Sequence, residues 1–201
     1  MAQSTFFATI SRMKYIERWA LMRSSRPETL SEHSMEVAMI AHALCILSNV
    51  RHGRHLDAEK AALIGLYHDA SEIITGDMPT PVKYYNDELQ RAYKDVEAVA
   101  EKRLLRKLPD DIRDSFEAIF TPIAGTDDPE EAYMRALVKA ADKLSAYIKC
   151  IEEEKAGNGE FKTAKEATYK KLLKLSEIHP EVDDFMKEFL PPYGSTLDEL
   201  L

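Results

Sequence analysis

The 201 residues carry a formal net charge of -8, a 45% hydrophobic share and only 7 glycines. Such a chain is long enough for one sizeable core and too apolar to be disordered. Its acidity argues against a nucleic-acid polymer as a generic electrostatic partner, though not against a small phosphate ligand held by a few local cations.

The apolar spacing is helical almost throughout. Phe6, Phe7, Ile10, Met13 and Ile16 form one stripe, which predicts a first helix ending near Trp19. A polar connection from Arg23 to Glu28 follows. Ser31 suits an N-cap, after which Val37, Ile40, Ala41 and Leu44 recur at helical spacing. Asn49 to Leu56 reads as a loop, and Asp57 as the cap of a helix from Ala58 to about Ile74. The clearest break is Gly76 to Pro81, where Thr80 and Pro81 have the chemistry of a helix start. One long helix is then expected from Val82 to about Leu108, stopped by Pro109, and a short one from Ile112 to Phe120. After a loop through Ala124 to Pro129 come Glu130 to Lys155, Phe161 to Ser176 and Pro180 to Leu190. No alternating strand pattern and no repeat is visible. The expected fold is all-α, a single domain over residues 1–201 with no obvious boundary.

Cys45 and Cys150, the two cysteines, sit in apolar helical patterns and read as buried free thiols. The first residues lack a basic start and a continuous apolar stretch, so no signal peptide is expected. No run approaches membrane-spanning length in this reading, so no membrane partner is expected. The default compartment is a reducing cytoplasm.

Four ionisable side chains, His68, Asp69, Glu72 and Asp77, interrupt the apolar run from Leu66 onward. On an ideal helix His68 and Glu72 are about 40° apart and Asp69 and Glu72 about 60°, which puts the three on one side. Unpartnered, such groups would be costly to bury; a shared cation offsets that cost. A lone His-Asp pair is weak, and by itself reads as a surface histidine beside a solvated aspartate. Two distant residues strengthen it. His33 aligns with Val37, Ile40, Ala41 and Leu44 on the buried side of its helix, whereas His42 faces the opposite way and is excluded as a ligand. Asp142 lies on the stripe of Val138, Ala141 and Ser145, where the competing explanation is a buried ion pair to Arg135 or Lys139. Two histidines and two aspartates make a mixed N/O set. That set suits one divalent ion such as Co, Mn or another transition metal, with Mg also compatible, better than a cysteine-rich structural zinc site.

The order His33, His68-Asp69, Asp142 resembles the signature of the HD-domain phosphohydrolase superfamily. The longer blocks Arg18-Trp19, Ser31 to Ser34, Tyr67 to Glu72 and Thr75 to Tyr84 resemble the bacterial 5′-deoxynucleotidases of the YfbR type, along nearly the whole chain. The resemblance implies an HD-type helical bundle whose metal-binding core spans about residues 28–145, with the terminal helices packed on it. It implies a metal-dependent enzyme hydrolysing 2′-deoxyribonucleoside 5′-monophosphates to deoxynucleoside and phosphate. His33, His68, Asp69 and Asp142 would hold the metal and Glu72 would be the catalytic carboxylate. Arg18 and Trp19 would contact phosphate and sugar, and Asp77, Met78, Pro79 and Thr80 would close on the nucleotide, with Arg18 and Asp77 also serving the chemistry. A homodimer is implied as well.

Two competing functions remain at the level of sequence. One is another HD-type enzyme, a cyclic-nucleotide phosphodiesterase or a deoxynucleoside triphosphohydrolase; the latter should show more basic residues than Arg12, Lys14 and Arg18 near the site. The other is a non-catalytic metal- or nucleotide-binding sensor, which needs ligands but no carboxylate like Glu72.

Overall fold

The computed structural model describes residues 3–83, 85–122 and 128–201, with the side chain of Thr80 outside the description. Ala124 to Asp127, within the loop expected before Pro129, lie outside the described residues. The elements in chain order are α1 (Phe6–Ile10), α2 (Leu30–His52), α3 (Ala58–Tyr67), α4 (Glu72–Thr75), α5 (Thr80–Lys83), α6 (Asp87–Leu105), α7 (Asp110–Phe120), α8 (Pro129–Lys155), α9 (Lys162–Ser176), α10 (Pro180–Glu188) and α11 (Leu197–Leu200). Short 3₁₀ turns at Ser11–Tyr15 and Gly159–Phe161 lead out of α1 and into α9. Among the described residues the only sheet-like pairing is one antiparallel bridge, Glu17 to Thr29. The all-α expectation holds.

Helix α2 runs on to His52, into the loop expected from Asn49, and four other boundaries differ from the sequence expectation, each for a local reason. The first helix does not reach Trp19. It tightens into 3₁₀ after Ile10, and Ile16 turns extended. The Arg18 N–H then goes to the Glu28 carbonyl at 2.8 Å and the Leu30 N–H to Ile16 at 2.9 Å, bonds that a continuing helix would have kept for itself. The cap of α2 is Thr29, not Ser31. Thr29 Oγ1 accepts from the Glu32 N–H at 3.3 Å while Glu32 Oε2 accepts from the Thr29 N–H at 2.8 Å, a reciprocal capping box. The helix expected over Ala58–Ile74 breaks at residues 68–71. The Ala70, Glu72 and Ile74 amides bond to carbonyls three residues back, the tighter 3₁₀ pitch, so α-helical angles do not carry through this turn. Finally, Asn86 caps a fresh helix by accepting from the Leu89 N–H, which divides the expected Val82–Leu108 helix into α5 and α6.

The described chain forms two compact units, each built from separate segments. One comprises residues 3–23, 27–34 and 66–122. Its core gathers Phe6, Met13, Leu30, Ala70, Leu104, Leu105 and Leu108, with Tyr67, Ile73, Phe116 and Phe120 packed against them. Phe6 meets the Phe116 ring edge-on at 5.3 Å, the favoured aromatic geometry. The amphipathic α6 packs against α1, α4, α5 and α7.

The other unit comprises Ser24–Arg26, Met35–Gly65 and 128–201. Its helix α8 packs on α9, and α9 on α10. Gly65 sits where α3 crosses α2, and a Cβ there would lie 2.7 Å from Ala38 Cα. Only a glycine permits that approach. Buried Lys149 and Glu153, one turn apart on α8, pair at 2.5 Å. Lys149 also donates to the Arg26 carbonyl, and Glu153 accepts from the Ser25 N–H at 2.8 Å and from Asn158 at 2.7 Å. These bonds tie the 24–26 segment to α8. Cys45 and Cys150 are buried free thiols, as expected.

Helix α2 corrects one expectation. By length and composition its 23 residues could cross a membrane, and 56% of its most apolar window is buried within the fold. Val37, Ile40, Ala41, Leu44 and Cys45 provide much of that buried surface.

Candidate active site

The capping box at Thr29 places His33 in the first turn of α2, fully buried. The 68–71 turn presents His68 and Asp69 side by side. His68 Nε2 lies 3.1 Å and His33 Nε2 3.6 Å from the same oxygen, Asp69 Oδ2. The two imidazole rings tilt against each other with centroids 5.3 Å apart. Two imidazole nitrogens converging on one carboxylate oxygen form a mixed N/O donor set for a divalent ion. The fourth expected ligand, Asp142, belongs to the other unit. Asp142 is half-buried on α8, and its Oδ2 accepts from Lys143 at 2.6 Å. Arg135 pairs with Glu131. His42 is exposed.

Glu72 opens α4 with its side chain buried and Oε2 without a hydrogen-bond partner among the described residues. Burial, and then the carboxylates of Asp69 and Asp77, push its carboxyl up to about 9, against the opposing pull of Lys83 and Arg18. A buried acid surrounded by other acids is a group that a nearby cation would convert to its anion. That environment fits a divalent ion held by the adjacent His33, His68 and Asp69.

Gly76 then reverses the chain at φ 72°, ψ 166°, a conformation open essentially to glycine alone. This turn carries Asp77, whose Oδ2 accepts from the Trp19 backbone N–H at 3.1 Å. Trp19 itself stands at φ 62°. Its indole Nε1–H donates to Glu28 Oε2 at 3.0 Å, and Arg18 Nη1 donates to the same oxygen at 2.5 Å. The Arg18 guanidinium carbon lies 5.5 Å from the Trp19 ring centroid. Met78 and Pro79 are half-buried beside Asp77. The backbone of Thr80 begins α5; its side chain lies outside the described residues.

The family model for YfbR-like 5′-deoxynucleotidases matches residues 5–193. The chain belongs to that family. A 5′-deoxynucleotidase from Vibrio cholerae is 48% identical over 202 residues, covering 100% of both chains. The 5′-deoxynucleotidase YfbR of a Salmonella paratyphi B strain is 47% identical, covering 100% of this chain and 97% of its own. Among solved structures, an HD-domain phosphohydrolase from Listeria innocua shares the fold with a TM-score of 0.78 at 22% identity, over 96% of this chain and 90% of that one. The PH0347 protein of Pyrococcus horikoshii superposes with a TM-score of 0.67 at 22% identity, over 90% and 94%.

Within this YfbR-like chain the structure adds two residues that sequence reasoning passed over. Glu28 lay in a connection read only as polar, yet it bonds both Arg18 and Trp19. Its signal was the TLSE block that follows, which fixes where the connection docks. Lys83, within the Thr75 to Tyr84 block but given no role there, pairs with Glu97 at 2.9 Å and acts electrostatically on Glu72.

Proposed function

We propose that this protein hydrolyses 2′-deoxyribonucleoside 5′-monophosphates to deoxynucleoside and phosphate, using one divalent ion held by His33, His68, Asp69 and Asp142. The observation that carries the reading is the convergence of His33 and His68 on Asp69, beside buried Glu72 Oε2, unpartnered among the described residues. The activity follows that named for the relatives from Vibrio cholerae and Salmonella. Such an ion supplies Lewis acidity toward a phosphate oxygen and makes water a better nucleophile.

In this reading each residue has a distinct task. Glu72 takes the proton of the attacking water as the new P–O bond forms and the bond to the 5′-oxygen breaks. Arg18 balances phosphate charge with its forked donors. Trp19 walls the sugar so that a 2′-hydroxyl has no room, which disfavours ribonucleotides by clash rather than by a missing bond. Asp77 either bonds the sugar 3′-hydroxyl or protonates the leaving 5′-oxygen, and holds Trp19 in both cases. Buried Cys45 and Cys150 are compatible with a reducing cytoplasm.

The experiment is phosphate release from a panel of deoxy- and ribonucleoside mono-, di- and triphosphates, before and after chelation and with added Co, Mn or Mg. Release confined to deoxynucleoside monophosphates and abolished by chelator is expected. Stoichiometric metal without any phosphate release would identify a sensor and overturn the proposal.

A further inference from the structure

Trp19 has a backbone that bulky L-residues avoid. At φ 62° a non-glycine side chain crowds its own carbonyl, and such a residue persists only where its surroundings over-determine it. Hydrogen bonds to distant residues anchor it. Asp77 takes the Trp19 backbone N–H, the Glu28 carbonyl takes the Arg18 N–H at 2.8 Å, and Glu28 Oε2 takes the Trp19 indole N–H. That same oxygen takes Arg18 Nη1. The Arg18 and Glu28 side chains are only 11% and 13% exposed, so water competes poorly for this pair.

We propose that Glu28 is the positioning residue of the substrate end of the site: its Oε2 fixes the plane of the Trp19 ring and the aim of the Arg18 guanidinium. This inference rests on the reading of Trp19 and Arg18 as sugar and phosphate contacts. Glu28 acts through both, and a single carboxylate oxygen therefore couples sugar selection to phosphate orientation. A carboxylate is suited to the task, since it can receive several donors at once while compensating the charge of a nearly buried guanidinium.

Trp19 is the single tryptophan of the chain, so its fluorescence reports this contact directly. In Glu28→Ala the emission should shift to longer wavelength and its anisotropy should fall. The deoxy-over-ribo ratio of kcat/KM should drop about tenfold, the scale of a lost charge-assisted hydrogen bond. Glu28→Gln keeps an acceptor oxygen and should restore the ratio to within about threefold of the unaltered protein. If Glu28→Ala does not fold, Glu28→Met, which keeps the volume without an acceptor, is read in its place. A folded variant lacking the acceptor whose ratio stays at the unaltered value overturns the inference, whatever its emission does. If the unaltered protein releases phosphate from no deoxynucleoside monophosphate, the proposed activity falls separately. The emission then decides the Glu28 link, and an unchanged spectrum in Glu28→Ala overturns it.

Discussion

The Asp77 carboxylate accepts the backbone N–H of Trp19 at 3.1 Å across 58 residues of sequence. A loop residue expected to face substrate thus also fixes the backbone of a second expected substrate contact. The two roles separate by substitution. Asp77→Asn retains an oxygen for the Trp19 amide but has no acid proton to donate. If Asp77 donates the proton to the leaving group, kcat should fall about 100-fold or more while KM stays within about twofold. Asp77→Ala should additionally raise KM and lower the deoxy-over-ribo ratio. Steady-state kinetics on one deoxy- and one ribonucleoside monophosphate measure both, and an Asn variant with full kcat would leave Asp77 as a binding and anchoring group.

Glu72 is buried, unpartnered at Oε2 among the described residues, and follows the His68-Asp69 turn. Glu72→Gln should lower kcat about 10²–10⁴-fold, the usual contribution of a general base. Bound metal, measured by elemental analysis, should remain at the unaltered stoichiometry because the proposed ligands are elsewhere. Loss of the metal together with activity would make Glu72 a ligand instead.

Burial alone would raise the Glu153 carboxyl. The hydrogen bonds from Lys149, Ser25 and Asn158 outweigh it and hold the group at about 2, below its ordinary 4.5. A carboxyl with a depressed folded-state pKa stabilises fully above its unfolded value, and that contribution is lost as pH falls from about 4.5 toward about 2. Glu153→Gln leaves Lys149 buried without its counter-charge and should cost about 3 kcal/mol at neutral pH. The gap between variant and unaltered protein should narrow as pH falls through this window. Urea unfolding at a series of pH values tests it, and a pH-independent gap would show that the ion pair contributes nothing through ionisation.

Gly65→Ala should be damaging because its Cβ would meet Ala38 Cα at 2.7 Å and Ala38 N at 2.9 Å. Backbone cannot give way as a flexible side-chain end can, so a cost of about 3 kcal/mol is expected. For a chain of this size that corresponds to a Tm lower by about 6–12 °C. Gly159→Ala is the control, since nothing lies within 4 Å of its Cβ position. It should be neutral or stabilising by up to about 1 kcal/mol, through a less disordered unfolded chain. Equal melting temperatures for the two variants would contradict the close crossing.

Helical class and most helix cores were legible in the sequence, because burial of one face imposes a 3.6-residue period that survives in the residues themselves. His33 was legible for the same reason: it lies in register with Val37, Ile40 and Leu44. The His68, Asp69 and Glu72 triplet was legible as a cluster, since its members are within five residues. Its geometry was not, because the turn at 68–71 tightens to three-residue hydrogen bonds where periodicity expects four. Likewise, choosing Thr29 over Ser31 as the cap of α2 required the reciprocal bonds with Glu32.

What only the tertiary structure decided is the environment of Arg18 and Trp19. Periodicity carried the expected first helix to about Trp19, yet the backbone there is extended and then left-handed, paired to Glu28 ten residues on and to Asp77 58 residues on. A hydrogen bond between distant residues leaves no periodic trace, and a carboxylate in a polar connection looks the same whether it faces water or an indole. The residues of the proposed chemistry could therefore be chosen from the sequence, while the group that holds two of them in place could be recognised only once the chain had folded around it.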